Sequence, residues 1–452
     1  MLEYVNGLLS GMMIPVLLML SGIFYAVKLH AFPLLRPRAV LIGLKAEGQR
    51  NGVSSARAVT LALAGTLGVG NIVGVSSAIH LGGFGAVFWM WVSALVAMLL
   101  KYAEITLAMR HRRRDENGRL CGSAMYYILD LFSSLRKGKL GKAVAGIFAA
   151  FFLLNAMTMG SMLQTSAISE ALSGVVGIPP LVTGAVLTLG TLLAIRKGTD
   201  GMAALTNHLV PVMSVGYAVM SLAVIFHGRA GLTDAFAQIF SSAFCADAAA
   251  SGIGGFIFTK AVRYGIMRGL ISNEAGCGTA PTAHAIADCS RPAKQGMWGI
   301  FEVFVDTIAL CTMTALVVIL EYGEAARFGG SYMMMTAAAF SSVLGSYASY
   351  FLSAAVACFG FATVVCWAHY GLTCARYFSK DRWAAVSFTA LYCACVFAGA
   401  FVRAELAWQL ADLAMGAMTA INLFVLVLMW REVREETDDY FYSLPSHKLF
   451  KF

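Results

Sequence analysis

Two glycine-rich runs hold the residues whose types and spacing could bind a small charged solute. The first is Gly65-Thr66-Leu67-Gly68-Val69-Gly70-Asn71-Ile72-Val73-Gly74. The second is Gly269-Leu270-Ile271-Ser272-Asn273-Glu274-Ala275-Gly276-Cys277-Gly278-Thr279-Ala280-Pro281. Each interrupts an apolar stretch. A glycine weakens a helix by about 1 kcal/mol relative to alanine, and a cluster closed by proline weakens it further. Where a helix breaks, freed N–H groups can receive a carboxylate and freed carbonyls can face a cation. The first run is not a dinucleotide fingerprint: Val73 stands at the third glycine position, and no strand precedes it.

Ionisable groups sit inside other apolar stretches. Glu302 and Asp306 are four residues apart, and Lys101 and Glu104 share another stretch. Paired carboxylates could do acid–base chemistry. No nucleophile or metal set accompanies them, neither H-E-x-x-H nor G-x-S-x-G occurs, and an enzyme is not expected. Charges at such depth pair or mark an ion path, so Lys101 is expected to meet a carboxylate, and Arg268 to meet Glu274. His369 reads as a packing histidine, although its type could titrate near neutral pH. Ser272-Asn273-Glu274 reads as a cap that restarts a helix.

The elements that must position these groups are membrane spans. Of 452 residues, 59% are hydrophobic and 13% charged, and the mean hydropathy is +0.74. A soluble domain would carry roughly twice that charged fraction. Apolar runs recur at 8–29, 55–82, 84–109, 143–172, 178–195, 203–227, 251–275, 296–321, 347–374, 383–401 and 407–430. Each is near the ~20 residues that cross a bilayer as a helix. The net charge of +9 comes from loops. Basic residues cluster after the first span (Lys28, Arg36, Arg38, Lys45, Arg50), and around the loop after the third (Arg110, Arg112, Arg113, Arg114, Arg136, Lys137, Lys139, Lys142). Alternate loops are short or poor in basic residues: Gly82–Gly85, Ser173–Pro180, and 321–330 with two Glu against one Arg. The positive-inside rule then places the N-terminus outside and the C-terminus in the cytoplasm of a cell (inner) membrane protein. Nucleic acid is not an expected partner. Segment 232–246 is too short to span and is expected at the outer interface. The ten cysteines read as small packing residues.

With the first span set aside, ten remain and divide five and five, and a glycine-broken helix opens each half. That is the mark of inverted-repeat transporters, whose solute and ion sit at the midplane between two discontinuous helices. The competing reading is that Gly70 and Gly74 form a G-x-x-x-G packing pair. A passive channel is disfavoured, because no repeated filter occurs. The expected organisation is one all-α transmembrane domain. It has a leading helix at 8–29, a first repeat at 54–228, a second repeat at 250–430, and a cytoplasmic, partly disordered tail at 431–452.

At these residues the chain resembles the alanine/glycine:cation symporter family, along nearly its whole length. The landmarks are GTLGVGNIVGVSSAIHLGGFGAVFWMWVSALVAMLLKYAE (65–104), RGLISNEAGCGTAPTAHA (268–285), QGMWGIFEVFVDT (295–307), FATVVCWAHYG (361–371) and LADLAMGAMTAINL (410–423). The resemblance implies a leucine-transporter-like fold and sodium-coupled symport of a small neutral amino acid. No cofactor beyond Na+ as coupling ion is implied. Residue by residue, it implies a carboxylate held on N–H groups of Gly68, Val69 and Gly70, with Asn71 facing cation or substrate. It also implies that Gln164 faces the substrate and that Trp367, one turn from Thr363, walls the pocket. Ile271 and Ser272 complete the candidate substrate set. Carbonyls of Ala64 and Leu67 with the Thr363 hydroxyl resemble the fold's common sodium site, with Thr66 and Asn71 as further candidates. The chain departs from the family at several positions: Val69 and Ile271 stand where Thr and Phe are usual, and Ala362 where Ser is usual. Ser166, Cys366, Ala368 and His369 depart as well. A proton as coupling ion, or another amino acid such as glutamine, therefore stays an alternative.

Overall fold

The computed structural model describes residues 6–45, 54–114, 118–244 and 252–443. It is helical almost throughout. The leading helix α1 spans Asn6–Lys28 and packs on the last apolar helix: the Tyr25 hydroxyl donates to the Leu426 carbonyl at 2.6 Å. The first broken span is α2 (Ser55–Thr66) and α3 (Val73–Gly82), followed by α4 (Gly85–Arg110). A short helix α5 (Ala124–Ser134) precedes α6 (Gly138–Val176), α7 (Pro180–Arg196) and α8 (Gly198–His227). After α9 (Leu232–Phe244) come the second broken span, α10 (Gly252–Asn273) and α11 (Ala280–His284), and α12 (Pro292–Leu320). The rest is α13 (Tyr332–Leu344), α14 (Ser346–Phe378), α15 (Arg382–Gly399), α16 (Ala404–Leu428) and α17 (Trp430–Tyr442).

Every apolar run read from the sequence coincides with helix. Among the described residues, eight helices are long and apolar enough to cross a membrane, and the bent pair α2–α3 makes a ninth. Helix α7 has only 17 residues, and α10 carries Lys260, Arg263 and Arg268. Exposed Val212, Val215, Val219, Leu222 and Phe226 give α8 an apolar outer face, as lipid contact demands. Helices α5, the apolar α13 and α17 are additions to the sequence reading, as are the short helices Phe32–Leu35, Pro37–Gly43 and Tyr322–Ala325. Helix α17 covers the first part of the expected cytoplasmic, partly disordered tail; residues 444–452 lie outside the described residues. The expected interfacial segment 232–246 is α9 as far as Phe244, and 245–246 also lie outside.

Small residues let the central helices touch. Gly296 and Gly299 of α12 lie against Tyr102, Ile105 and Thr106 of α4, with no room for a Cβ. Gly265 and Gly269 of α10 lie in the same way against Ala86 and Ser93 of α4. Close backbone approach replaces the hydrophobic drive that lipid cannot supply. Helix α4 is thereby buried against both α10 and α12 and serves as the rod on which the second break is hung.

Candidate functional site

The first break begins after Thr66. Leu67 leaves the helical region with ψ of 69°, Gly68 is extended, and Val69–Asn71 form one tight 3-10 turn. The chain bends by 58° between α2 and α3. Gly68 is where glycine is required: a Cβ there would meet Thr363 Oγ1 at 2.7 Å and Gln164 Oε1 at 2.8 Å. Gly70 and Gly74 are not crowded in this way, since a Cβ on them meets nothing nearer than 3.5 and 3.4 Å. The packing-pair reading therefore does not account for them.

The second break follows Asn273. Glu274, Gly276 and Gly278 all have positive φ (52°, 81° and 83°), and Pro281 lies in the first turn of α11. Two side chains of α4, one helical turn apart, replace the lost helical bonds. Lys101 Nζ donates to the Asn273 carbonyl at 2.8 Å, and Glu104 Oε2 accepts the Gly278 N–H at 2.9 Å. A cation thus sits on the carbonyl end of α10 and an anion on the N–H end leading into α11, matching both half-helix dipoles. Asn422 of α16 donates to Glu104 Oε2 (3.1 Å) and to the Gly276 carbonyl (2.9 Å).

The two breaks meet. A Cβ on Gly70 would come within 3.5 Å of Ser272 Cα, and the Ile271 carbonyl is close by. Asp306 of α12 joins them directly. Its Oδ1 accepts from Asn71 Nδ2 at 2.7 Å, and its Oδ2 accepts from Ser272 Oγ at 2.7 Å and Thr307 Oγ1 at 2.8 Å. Asn71 Oδ1 is buried without a partner in the structure. Asp306 lies in a π-helical stretch, Phe304–Cys311, and Cys311 Sγ touches both Asn71 Nδ2 (3.4 Å) and Ser272 Oγ (3.3 Å). A second π-helical stretch, Thr158–Leu163, ends at Gln164. Gln164 Oε1 accepts the Val69 N–H at 3.1 Å, and its Nε2 donates to the Met159 carbonyl at 3.2 Å. An amide oxygen therefore occupies a place suited to a carboxylate oxygen.

Thr363 Oγ1 lies 2.8 Å from the Ala64 carbonyl oxygen, and Ala362 beside it offers only a methyl group. These are hard oxygens of the kind a sodium ion takes. Trp367 packs on Gly160, Phe152 and Tyr370, and its Nε1 has no partner in the structure. A packing gap too tight for a water molecule adjoins the first break, lined by Leu67, Gly68, Asn71, Ile72, Tyr217, Leu310 and Phe359. Tyr217, Leu310 and Phe359 carried no signal in the sequence, being ordinary members of apolar spans. Asp306 did carry one, as a charge at membrane depth. His369 is buried with Nε2 unpartnered, beside Tyr370.

The buried charges are arranged differently from one expectation. Lys101 does pair with a carboxylate, Glu302 Oε1, at 3.1 Å. Arg268 pairs not with Glu274 but with Asp412 of α16, at 3.2 Å, over the Trp408 ring. The chain reverses past Asn273, so Glu274 lies on the far side of the break. Its Oε2 accepts from Thr279 Oγ1 at 2.6 Å.

The sequence profile of the Sodium:alanine symporter family matches residues 1–451. The chain belongs to the sodium:alanine symporter family. It is a multi-pass, sodium-coupled amino-acid transporter and not an enzyme. It is 35% identical over 441 residues to the sodium/alanine symporter AgcS of Methanococcus maripaludis, covering 96% of this chain and 95% of that one. An uncharacterized transporter of Haemophilus influenzae is 36% identical, covering 98% and 96%. A Bacillus subtilis protein named "Probable sodium/glutamine symporter GlnT" is 33% identical, covering 96% and 89%. The fold matches that of MhsT, solved with L-phenylalanine, with a TM-score of 0.61 at 14% identity, covering 86% and 93%. It also matches a manganese transporter of Eremococcus coleocola, with a TM-score of 0.54 at 12% identity, covering 87% and 89%. The chain therefore has the leucine-transporter-like fold.

Proposed function

We propose that this symporter carries a small neutral amino acid of the alanine or glycine type together with Na+. The observation that carries the reading is the meeting of the two breaks at Gly68–Asn71 and Ile271–Ser272, with Gln164 on the Val69 N–H. In this reading the solute carboxylate displaces the Gln164 amide oxygen and binds the N–H groups of Gly68, Val69 and Gly70. Its side chain lies beside Tyr217, Leu310 and Phe359, which must part to admit it. Trp367 bounds the site on the side of α6. Na+ sits on the carbonyls of Ala64 and Leu67 with the Thr363 hydroxyl, while Thr66 and Asn71 supply further oxygens nearby. The first repeat is 54–228 and the second 250–430, and rocking of two helical groups opens the site to each side in turn. The basic loops support a cytoplasmic C-terminus and an outside N-terminus in the cell (inner) membrane.

Ala362 favours a second reading, with a proton or a weakly held Na+, and the glutamine relative keeps that larger solute in play. Uptake into proteoliposomes of labelled alanine, glycine and glutamine tests both, with Na+ and H+ gradients imposed separately. Alanine uptake driven by Na+ alone is expected. Uptake driven by H+ alone, or of glutamine alone, would overturn the reading.

A further inference from the structure

Glu302 stands one helical turn before Asp306 on α12 and also connects the two breaks, without touching the residues of the proposed site's solute pocket. Its Oε1 accepts from Thr66 Oγ1 (3.3 Å), the last residue of α2 and two residues from Ala64. The same oxygen pairs with Lys101, which donates to the Asn273 carbonyl beside Ser272. Its Oε2 faces His284 Nε2 of α11 at 3.1 Å. Gln295 Nε2 lies 3.0 Å from His284 Nδ1, on the other edge of the ring. Both members of the ion pair are fully buried.

We propose that the Lys101–Glu302 pair is the element through which Na+ at the first break and the amino acid between the breaks, where it meets Ile271–Ser272 of the second, strengthen each other's binding. The proposal rests on the site reading above. Two charges with no access to water cannot be separated cheaply, because neither can turn to solvent when the other leaves. A shift of Thr66 that follows ion binding at Ala64 therefore carries Glu302, then Lys101, then the Asn273 carbonyl. The two breaks are held to matched positions, and an ion that fixes one fixes the other. By linkage, the amino acid then favours the ion to the same degree. Lys101 and Glu302 are positioning residues in this scheme. Asp306 touches Asn71 and Ser272 and belongs to the site itself.

The test is the binding of tritiated L-alanine to purified protein across a range of Na+ concentrations. The wild type is compared with Lys101→Arg and with the double variant Lys101→Met/Glu302→Gln, which removes both charges and strands neither. In the double variant the gain in alanine affinity between low and saturating Na+ is expected to shrink about tenfold, with the saturated affinity within about threefold of wild type. Lys101→Arg should keep most of the gain. A double variant with an unchanged Na+ dependence overturns the proposal. A wild type whose alanine binding ignores Na+ overturns the site reading instead. Should the double variant not fold, hydrogen exchange on the wild type decides: Na+ without amino acid should slow amides at 273–279 as well as at 64–71. Slowing confined to 64–71 overturns the proposal.

Discussion

Two ion pairs flank the second break, and they are built to opposite specifications. Lys101–Glu302 is sealed, with both side chains fully buried and every oxygen of Glu302 engaged. Arg268–Asp412 joins α10 to α16, with side-chain exposures of 6% and 19%. It has one contact at 3.2 Å, Arg268 Nε has no partner in the structure, and the guanidinium rests on Trp408, 4.1 Å from the ring centroid. A sealed pair resists separation because each charge would be stranded. A pair with one partly exposed member parts more easily, since that member keeps some access outside the packed interior. The first arrangement suits a joint that stays closed, and the second suits a contact that opens and closes.

The comparison breaks most visibly at its strong end. Lys101→Ala should cost about 3–5 kcal/mol by stranding Glu302, read as a fall in thermal stability in detergent. A loss below about 1 kcal/mol would show that the pair is not sealed in solution. Arg268→Ala should cost less than Lys101→Ala, because the partly exposed Asp412 left behind is less completely stranded than Glu302. Arg268→Ala should also speed labelling of Cys311 by a thiol reagent added from the Asp412 side, mapped by mass spectrometry, because Cys311 touches Asn71 and Ser272. Arg268→Lys should fall between, since an ammonium keeps the charge but loses the flat stacking on Trp408.

The smallest effect is expected outside the spans, where α17 docks on the end of α4. His111 lies 2.9 Å from Asp130 and 2.8 Å from Glu432. Burial pulls the imidazole down, but the carboxylates of Glu432 and Asp130 outweigh it and hold His111 above its ordinary value. The hydrogen bond from His111 holds Glu432 below the usual carboxylate range, against partial burial. The His111 contribution is complete below about pH 6.5 and is lost as pH rises through its raised value. The Glu432 contribution is complete above about pH 4.3 and is lost as pH falls through its lowered value. Subtracting the pH–stability curve of His111→Gln from that of the wild type should therefore leave a maximum between them, of order 1 kcal/mol or less. A flat difference would show that α17 docks without the histidine.

What could be read from residues alone was whatever lipid or glycine dictates locally. Span positions follow from apolar runs, and both breaks follow from glycine clusters that a bilayer tolerates only beside a cavity or a ligand. Partner choice was not legible. Arg268 and Glu274 are six residues apart, yet the positive φ at Glu274 turns it away, and Arg268 meets Asp412 from α16. The π-helical stretches before Gln164 and around Asp306 were not legible either, because helical register is set by packing and not by propensity. Nor were the gap-lining residues Tyr217, Leu310 and Phe359, whose role depends on which face of an apolar helix turns inward.

The widened turn at Phe304–Cys311 has a consequence for how such a chain can change. An α-helix repeats every 3.6 residues, so positions five apart drift off a common face. In α12 the wider turn brings Asp306 and Cys311 together on Asn71, and Thr314 then reaches the Asn71 carbonyl at 2.8 Å. Removing a single residue from that stretch would shorten the span by about 1.5 Å but rotate everything beyond it by about 100°. Thr314 would swing off Asn71 while α12 stayed just as apolar and nearly as long. One codon lost here would leave a hydropathy plot almost untouched and dismantle the floor of the site.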